Sequence, residues 1–223
     1  MDPLRQLLED ALVERSFCEP LARYGRLLLE ANRRMNLTGA ESPDELLPHL
    51  LDSLSIAPLV RDSLVDVGSG GGLPAIPLAI ATGVPVTMIE STGKKAAFLR
   101  AVLDELGLVG RVVAHRAETA GREDDLRERF ASGTARAVSS ASAVAELLLP
   151  FIAIGGTAIL QRGRLEPRER NALSDAAPML GGMVEQEIAQ DGDRRVVVVR
   201  KREATPSRFP RRIGVPEKRP LCW

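Results

Sequence analysis

The chain holds only two cysteines, Cys18 and Cys222, at opposite ends, and only two histidines, His49 and His115. Such spacing cannot build a Cys/His metal site, so no metal is expected, and the low cysteine content suits a reducing cytoplasm. No apolar run approaches the roughly 20 residues that a membrane-spanning helix needs, so no membrane partner is expected. The opening MDPLRQLLED carries acids within an amphipathic pattern, which excludes a signal peptide. Internal repeats and low-complexity blocks are absent. No Gly-Lys-Ser/Thr follows the glycine-rich stretch at 68–72, which excludes a P-loop.

What is present is a soluble, globular balance of 44% hydrophobic and 27% charged residues over 223 positions. That length suits one sizeable domain with an added segment. The formal net charge of zero conceals an asymmetry. Residues 1–60 hold ten acids and six bases, a net of −4, whereas residues 194–223 hold ten bases and two acids, a net of +8. A basic tail on a neutral protein suits a polyanion, RNA first, or is simply solvated; charge alone does not choose.

The first 60 residues read as helices, with Leu4, Leu7, Leu8 and Leu12, then Leu21, Tyr24, Leu27, Leu28 and Met35 at helical spacing. Ser42-Pro43-Asp44-Glu45 marks a third helix start, with Ser42 as cap and Glu45 completing a capping box. From Ser63, short apolar runs alternate with helical segments: strands at 64–67, 86–90, 111–115, 136–140 and 157–161, with helices between them, including one over Arg122–Phe130. Such alternation predicts a parallel sheet covered on both faces. MVEQEI and RRVVVV, joined across Asp191-Gly192, predict an antiparallel hairpin at the end. The expected organisation is a helical segment over 1–60, a Rossmann-like α/β domain with a mostly parallel seven-stranded sheet over 61–203, and a Pro-rich basic tail over 204–223. That tail should lie extended over the surface or stay mobile.

Ligands of open α/β sheets bind beyond the carboxyl ends of the strands, so the loop after Val67 is the expected site. The stretch Asp66-Val67-Gly68-Ser69-Gly70-Gly71-Gly72 fits a dinucleotide fingerprint poorly: counted from Gly68 and Gly70 the third glycine would be Leu73, and counted from Gly70 and Gly72 it would be Ala75. It suits S-adenosylmethionine (SAM) better. Gly68, Gly70 and Gly72 permit close backbone approach to the methionine part, and Asp66 offers a carboxylate to the amino group. The second strand ends in Glu90, placed to accept two ribose hydroxyls. The third leads into Arg116-Ala117-Glu118, which could border an adenine.

These residues, together with Met35-Asn36-Leu37-Thr38, His49-Leu50-Leu51-Asp52-Ser53-Leu54, DVGSGGGLPAIPLAI (66–80), ESTGKKAAFLR (90–100) and the ending FPRRIGVPEKRPL (209–221), carry a resemblance. From about residue 20 onward the chain resembles the RsmG (GidB) methyltransferases, which make 7-methylguanosine in 16S ribosomal RNA. The resemblance implies a SAM-dependent methyltransferase fold and a 16S RNA or small-subunit partner. It places Gly68, Leu73, Glu90, Ser91, Ala117 and Glu118 at SAM-contacting positions. Lys94, Lys95, the His49/Asp52 region and the tail, with Arg208, Arg211, Arg212 and Lys218, fall on the RNA side. An arginine expected after the fourth strand, at the edge of the cofactor site, is replaced by Ser140 in this alignment, and a lysine after the fifth strand by Arg162.

Methyl transfer to guanine N7 requires no general base, because the in-plane lone pair carries no proton, so positioning and electrostatics suffice. No catalytic nucleophile is therefore expected; Arg162 and His49 are positioning candidates. A monomer is expected. Two alternatives share the same features: a member of the fold that binds SAM and RNA without catalysis, and a methyltransferase for another substrate. His49 also reads as a structural histidine between leucines, and Lys94 and Lys95 as a solvated first helical turn.

Overall fold

The computed structural model describes residues 2–136 and 139–223. Met1 lies outside the described residues, as do Ala137 and Val138 within the fourth predicted strand.

Three helices open the chain: α1 (Pro3–Asp10), α2 (Arg15–Met35) and α3 (Pro43–Leu54). Each begins and ends for a local reason. The Asp2 carboxylate accepts the Leu4 and Arg5 N–H groups at the start of α1. Asn36, at a φ of 50°, ends α2 in the left-handed conformation that asparagine tolerates. At α3 the Ser42 hydroxyl accepts the Glu45 N–H at 3.3 Å. Glu45 reaches back to the Glu41 N–H at 2.8 Å, one residue earlier than a standard capping box would. The apolar stripes Leu4/Leu8, Leu21/Tyr24/Leu28 and Leu46/Leu50 are buried in one cluster with the sheet residues Leu64, Val86, Met88 and Val198. Each such leucine contributes roughly 1.5–3 kcal/mol by leaving water, so these helices cover one face of the sheet.

The rest alternates: β1 (Leu64–Val67), α4 (Ala75–Thr82), β2 (Val86–Ile89), α5 (Gly93–Leu106), β3 (Gly110–Val113), α6 (Ala117–Ala120), β4 (Phe130–Arg136), α7 (Ala141–Leu148), β5 (Ile152–Arg162), α8 (Pro167–Met179), β6 (Gly182–Ala189), β7 (Arg195–Lys201) and α9 (Val215–Lys218). The seven strands lie in the order β3-β2-β1-β4-β5-β7-β6. The first five are parallel, whereas β7 runs antiparallel to both β5 and β6. Gly192, at a φ of 65°, turns the β6–β7 hairpin where the Asp-Gly pair predicts it. The second face is covered by α7 and α8 through Val144, Leu148, Leu173 and Ala177 against Val65, Leu160 and Val197.

Two expectations need correction. The fourth strand is Phe130–Arg136, not 136–140, and the helix expected over Arg122–Phe130 is a series of turns after the short α6. The strand Phe130-Ala131-Ser132-Gly133-Thr134-Ala135 is poor in large apolar residues because its neighbours leave no room for them. A Cβ on Gly133 would sit 2.5 Å from Ile152 Cδ1 and 2.8 Å from Leu148 Cδ1. The turns after α6 hold together through Arg127, whose guanidinium donates to the carbonyls of Gly121 (2.7 Å), Thr205 (2.7 Å) and Phe209 (3.0 Å).

Those contacts also fasten the tail. Phe209 is buried, Arg122 donates to the carbonyls of Ser207, Arg208 and Pro210, and the chain runs over the surface to the carboxyl edge of the sheet.

Candidate active site

The glycine loop leaves β1 with Gly68, Gly70 and Gly72 at φ values of 73°, 54° and 98°, a run that side-chain-bearing residues rarely adopt. The loop is held from both sides. From α2, the buried Tyr24 hydroxyl donates to the Gly71 carbonyl at 2.8 Å. From the leader loop, Leu37 presses so closely that a Cβ on Gly71 would lie 3.0 Å from its carbonyl oxygen. That leader loop is itself fastened by Asn32, whose Oδ1 accepts the Leu37 and Thr38 N–H groups at 2.6 and 2.9 Å. The Asn-Leu-Thr leader therefore acts as a brace for the glycine loop.

Across the loop stands Glu90, just beyond β2. Its Oε2 accepts the Gly70 N–H at 2.9 Å and its Oε1 accepts the Thr92 N–H at 2.7 Å. The carboxylate is thus locked in orientation while each oxygen keeps a free lone pair. Asp66 is fully enclosed at the end of β1. Its Oδ1 accepts the Thr134 hydroxyl at 2.7 Å, whereas its Oδ2 has no partner among the described residues. Burial, with a contribution from the Glu90 charge, pushes the Asp66 carboxyl up to about 6, against opposing hydrogen bonds from Thr134 and Ser69 and the charge of Arg136.

A narrow cleft follows the carboxyl ends of β1, β2 and β3, walled by Gly68, Glu90, Ser91, Arg116, Ala117 and Glu118. Five of the ten residues expected at the cofactor, Gly68, Glu90, Ser91, Ala117 and Glu118, line it together. Leu73 is instead buried in the hydrophobic cluster beneath the loop. The tail supplies a wall that the sequence did not suggest. Gly214 N–H donates to Glu118 Oε1 at 2.7 Å, and Arg116 bridges Glu118 at 3.4 Å and Glu217 at 3.5 Å. Burial alone would raise the Glu118 carboxyl, but the backbone N–H of Gly214 and the charge of Arg116 outweigh it and hold the group below its usual range.

Beside this cleft, at the carboxyl ends of β4 and β5, lies an open basin of about 620 Å³ walled by His49, Asp52, Arg136, Gln161, Arg162 and Arg194, among others. β4 ends at Arg136, so the arginine at the carboxyl end of that strand is Arg136, and Ser140 lies four residues beyond it. Asp66 pairs with Thr134 across β1 and β4, two residues before Arg136. Ser140 stands at the start of α7, and its Oγ is buried without a partner among the described residues.

The other expected polar residues divide. The Arg162 guanidinium binds Glu169 and the Ser139 carbonyl, so it braces the basin wall rather than reaching outward. Asp52 does not pair with His49; it meets Arg194 at 3.3 Å and Arg136 at 3.5 Å. Burial, followed by Arg136, lowers the pKa of His49, which Asp52 only partly offsets. Lys94 and Lys95 begin α5 and make no ion pair among the described residues. Arg208, Arg212 and Lys218 are exposed, whereas Arg211 is bound to the buried Glu146. Among the described residues there is no cluster of three or more metal-ligating side chains, and no helix long and apolar enough to cross a membrane.

A sheet of this order, with a glycine loop after the first strand and an acid beyond the second, defines the class of SAM-dependent methyltransferases. The fold is similar to an O-methyltransferase from Bacillus cereus solved in complex with SAH, at a TM-score of 0.59 and 19% identity over 89% of this chain and 97% of that one. It is also similar to a T. Thermophilus 16S rRNA methyltransferase solved with AdoMet and guanosine, at a TM-score of 0.52 and 18% identity over 71% of this chain and 40% of that one. The family described as rRNA small subunit methyltransferase G matches residues 17–197. Proteins named ribosomal RNA small subunit methyltransferase G are 43% identical in Rubrobacter xylanophilus (87% of this chain, 80% of that protein) and 42% in Chloroflexus aggregans (89% and 88%). The chain belongs to the rRNA small subunit methyltransferase G family.

Proposed function

We propose that the protein transfers the methyl group of SAM to N7 of a guanosine in 16S RNA of the small ribosomal subunit. The observation that carries this reading is the orphaned, buried Oδ2 of Asp66 beside the Glu90-braced glycine loop. It is a carboxylate acceptor to which a SAM amino group would donate.

The residues present fit that cofactor. Asp66 would hold the ammonium group, and Gly68 and Gly70 the methionine backbone. Glu90 would accept the ribose hydroxyls, with Ser91 beside it, and Ala117 and Glu118 would border the adenine. Bound there, SAM would supply an electrophilic methyl to the guanine lone pair, the C–S bond breaking as the N–C bond forms and its electron pair leaving with sulfur. The protein needs no base for this, because N7 carries no proton to remove. Its residues would orient the base and exclude water.

Lys94, Lys95, Arg208, Arg212 and Lys218 are proposed to meet phosphates. Arg211 is left out of that set because its guanidinium is engaged internally. The same reading makes the chain a cytoplasmic monomer that needs no metal. The test is transfer of label from methyl-labelled SAM to small subunits that lack the modification. Label in the 16S RNA is expected; label only in protein or in small molecules would contradict the reading.

A further inference from the structure

We infer that the basin seats the acceptor guanine and that Asp52, oriented by Gln161, reads its Watson–Crick edge. The inference rests on the function proposed above. A guanine methylated at N7 must turn that edge of the ring toward the cofactor cleft, so its Watson–Crick edge, which adjoins the N7/O6 edge, faces a side wall of the basin. Beyond O6 that edge carries a ring N–H and an exocyclic amine, both donors. A wall that recognises it must therefore present acceptors, in a site that is otherwise basic enough to draw in RNA.

The basin has this arrangement. Arg136, at the carboxyl end of β4, the strand next to β1, marks the side that adjoins the cofactor cleft. Asp52 is the one acidic side chain among the described residues of its wall. It is fixed by Arg194 at 3.3 Å, by Arg136 at 3.5 Å and by Gln161 Nε2, which donates to its carbonyl at 2.9 Å and to Oδ2 at 3.2 Å. Gln161 is only 5% exposed, yet its Oε1 has no partner among the described residues, a second acceptor at the same wall. An adenine would present a ring acceptor instead of the N–H and would meet the carboxylate lone pairs, so the same wall rejects it.

The test uses the full-length protein and 16S RNA in which the position methylated by the wild type carries either guanosine or inosine, which lacks the exocyclic amine. Inosine should lower the wild-type kcat/KM by about 10- to 100-fold, the effect of losing a hydrogen bond to a charged group. Asp52→Asn should lose a similar factor on guanosine and little more on inosine, while SAM affinity without RNA stays within about twofold. Asp52→Glu should recover part of the loss. Should Asp52→Asn fail to fold, Gln161→Leu should show the same collapse of the guanosine-to-inosine ratio. Losses that multiply independently, or Asp52→Asn at the wild-type rate, would overturn the inference alone. A wild type that forms no 7-methylguanosine would overturn the proposed function and the inference with it.

Discussion

The fully buried carboxylate of Glu146, on α7, receives the Arg211 guanidinium through both oxygens, with Nη2 at 2.6 Å and Nε at 2.9 and 3.0 Å, and also accepts the Arg211 N–H at 2.8 Å. Three residues later Gly214 touches Glu118, and Glu217 meets Arg116 on the cleft wall. One ion pair thus sets where the tail closes on the cofactor cleft.

Glu146→Gln removes the charge from this pair and leaves the arginine uncompensated. The expected cost is about 3 kcal/mol of stability, read by denaturant unfolding. Because the tail turn walls the cleft, SAM should also associate and dissociate faster, which stopped-flow binding measures. Unchanged rates in a folded variant would show that the tail does not gate the cleft.

Tyr24→Phe deletes the hydroxyl that holds the Gly71 carbonyl and leaves that buried acceptor unsatisfied. A loss of about 1–3 kcal/mol is expected, with SAM binding weakened more than RNA binding, since the brace acts on the glycine loop. Calorimetric titration with each ligand separates the two; equal weakening would place the effect in the fold as a whole.

Asp66→Asn has a pH-dependent signature. The Asp66 pKa is raised from 3.8 to about 6 in the folded protein. Its relative stabilisation is therefore complete below pH about 4 and is lost as pH rises through about 6, where ionising the buried group costs on the order of 3 kcal/mol. The variant should be more stable than the wild type at pH 8 and no more stable near pH 4, while binding SAM at least about tenfold more weakly. Thermal melts at both pH values decide it. An equal difference at both would place the cause elsewhere.

Lys94 and Lys95 make no ion pair among the described residues, and phosphate contact predicts a salt signature for them. Replacing both with Gln should reduce the slope of log affinity for small-subunit RNA against log salt by roughly 1.4–1.8, without moving SAM affinity. An unchanged slope would return them to the role of a solvated helical turn.

The sequence was most legible where one signal dominated. Strong apolar runs located β1, β2 and β7, Asp191-Gly192 announced the last hairpin, and Ser42-Pro43 marked the start of α3. β4 is hard to read because its burial is achieved with Ala, Ser, Gly and Thr, which carry no hydrophobic signal, so its end at Arg136 is not apparent from the sequence. Glu90 and the glycines could be read because a loop after a strand constrains spacing. The roles of Glu146, Gln161 and the tail could not, because those partners lie 65, 109 and 96 residues from Arg211, Asp52 and (for Gly214) Glu118, and no local pattern links them.

The most direct test of the central claim is nucleoside mass spectrometry of 16S RNA from unmodified small subunits incubated with the purified protein and methyl-labelled SAM. The account predicts label in 7-methylguanosine at a single position, abolished when Asp66 is replaced by Asn at SAM concentrations that saturate only the wild type. Label in a different nucleoside, or SAM bound with none transferred, would contradict it.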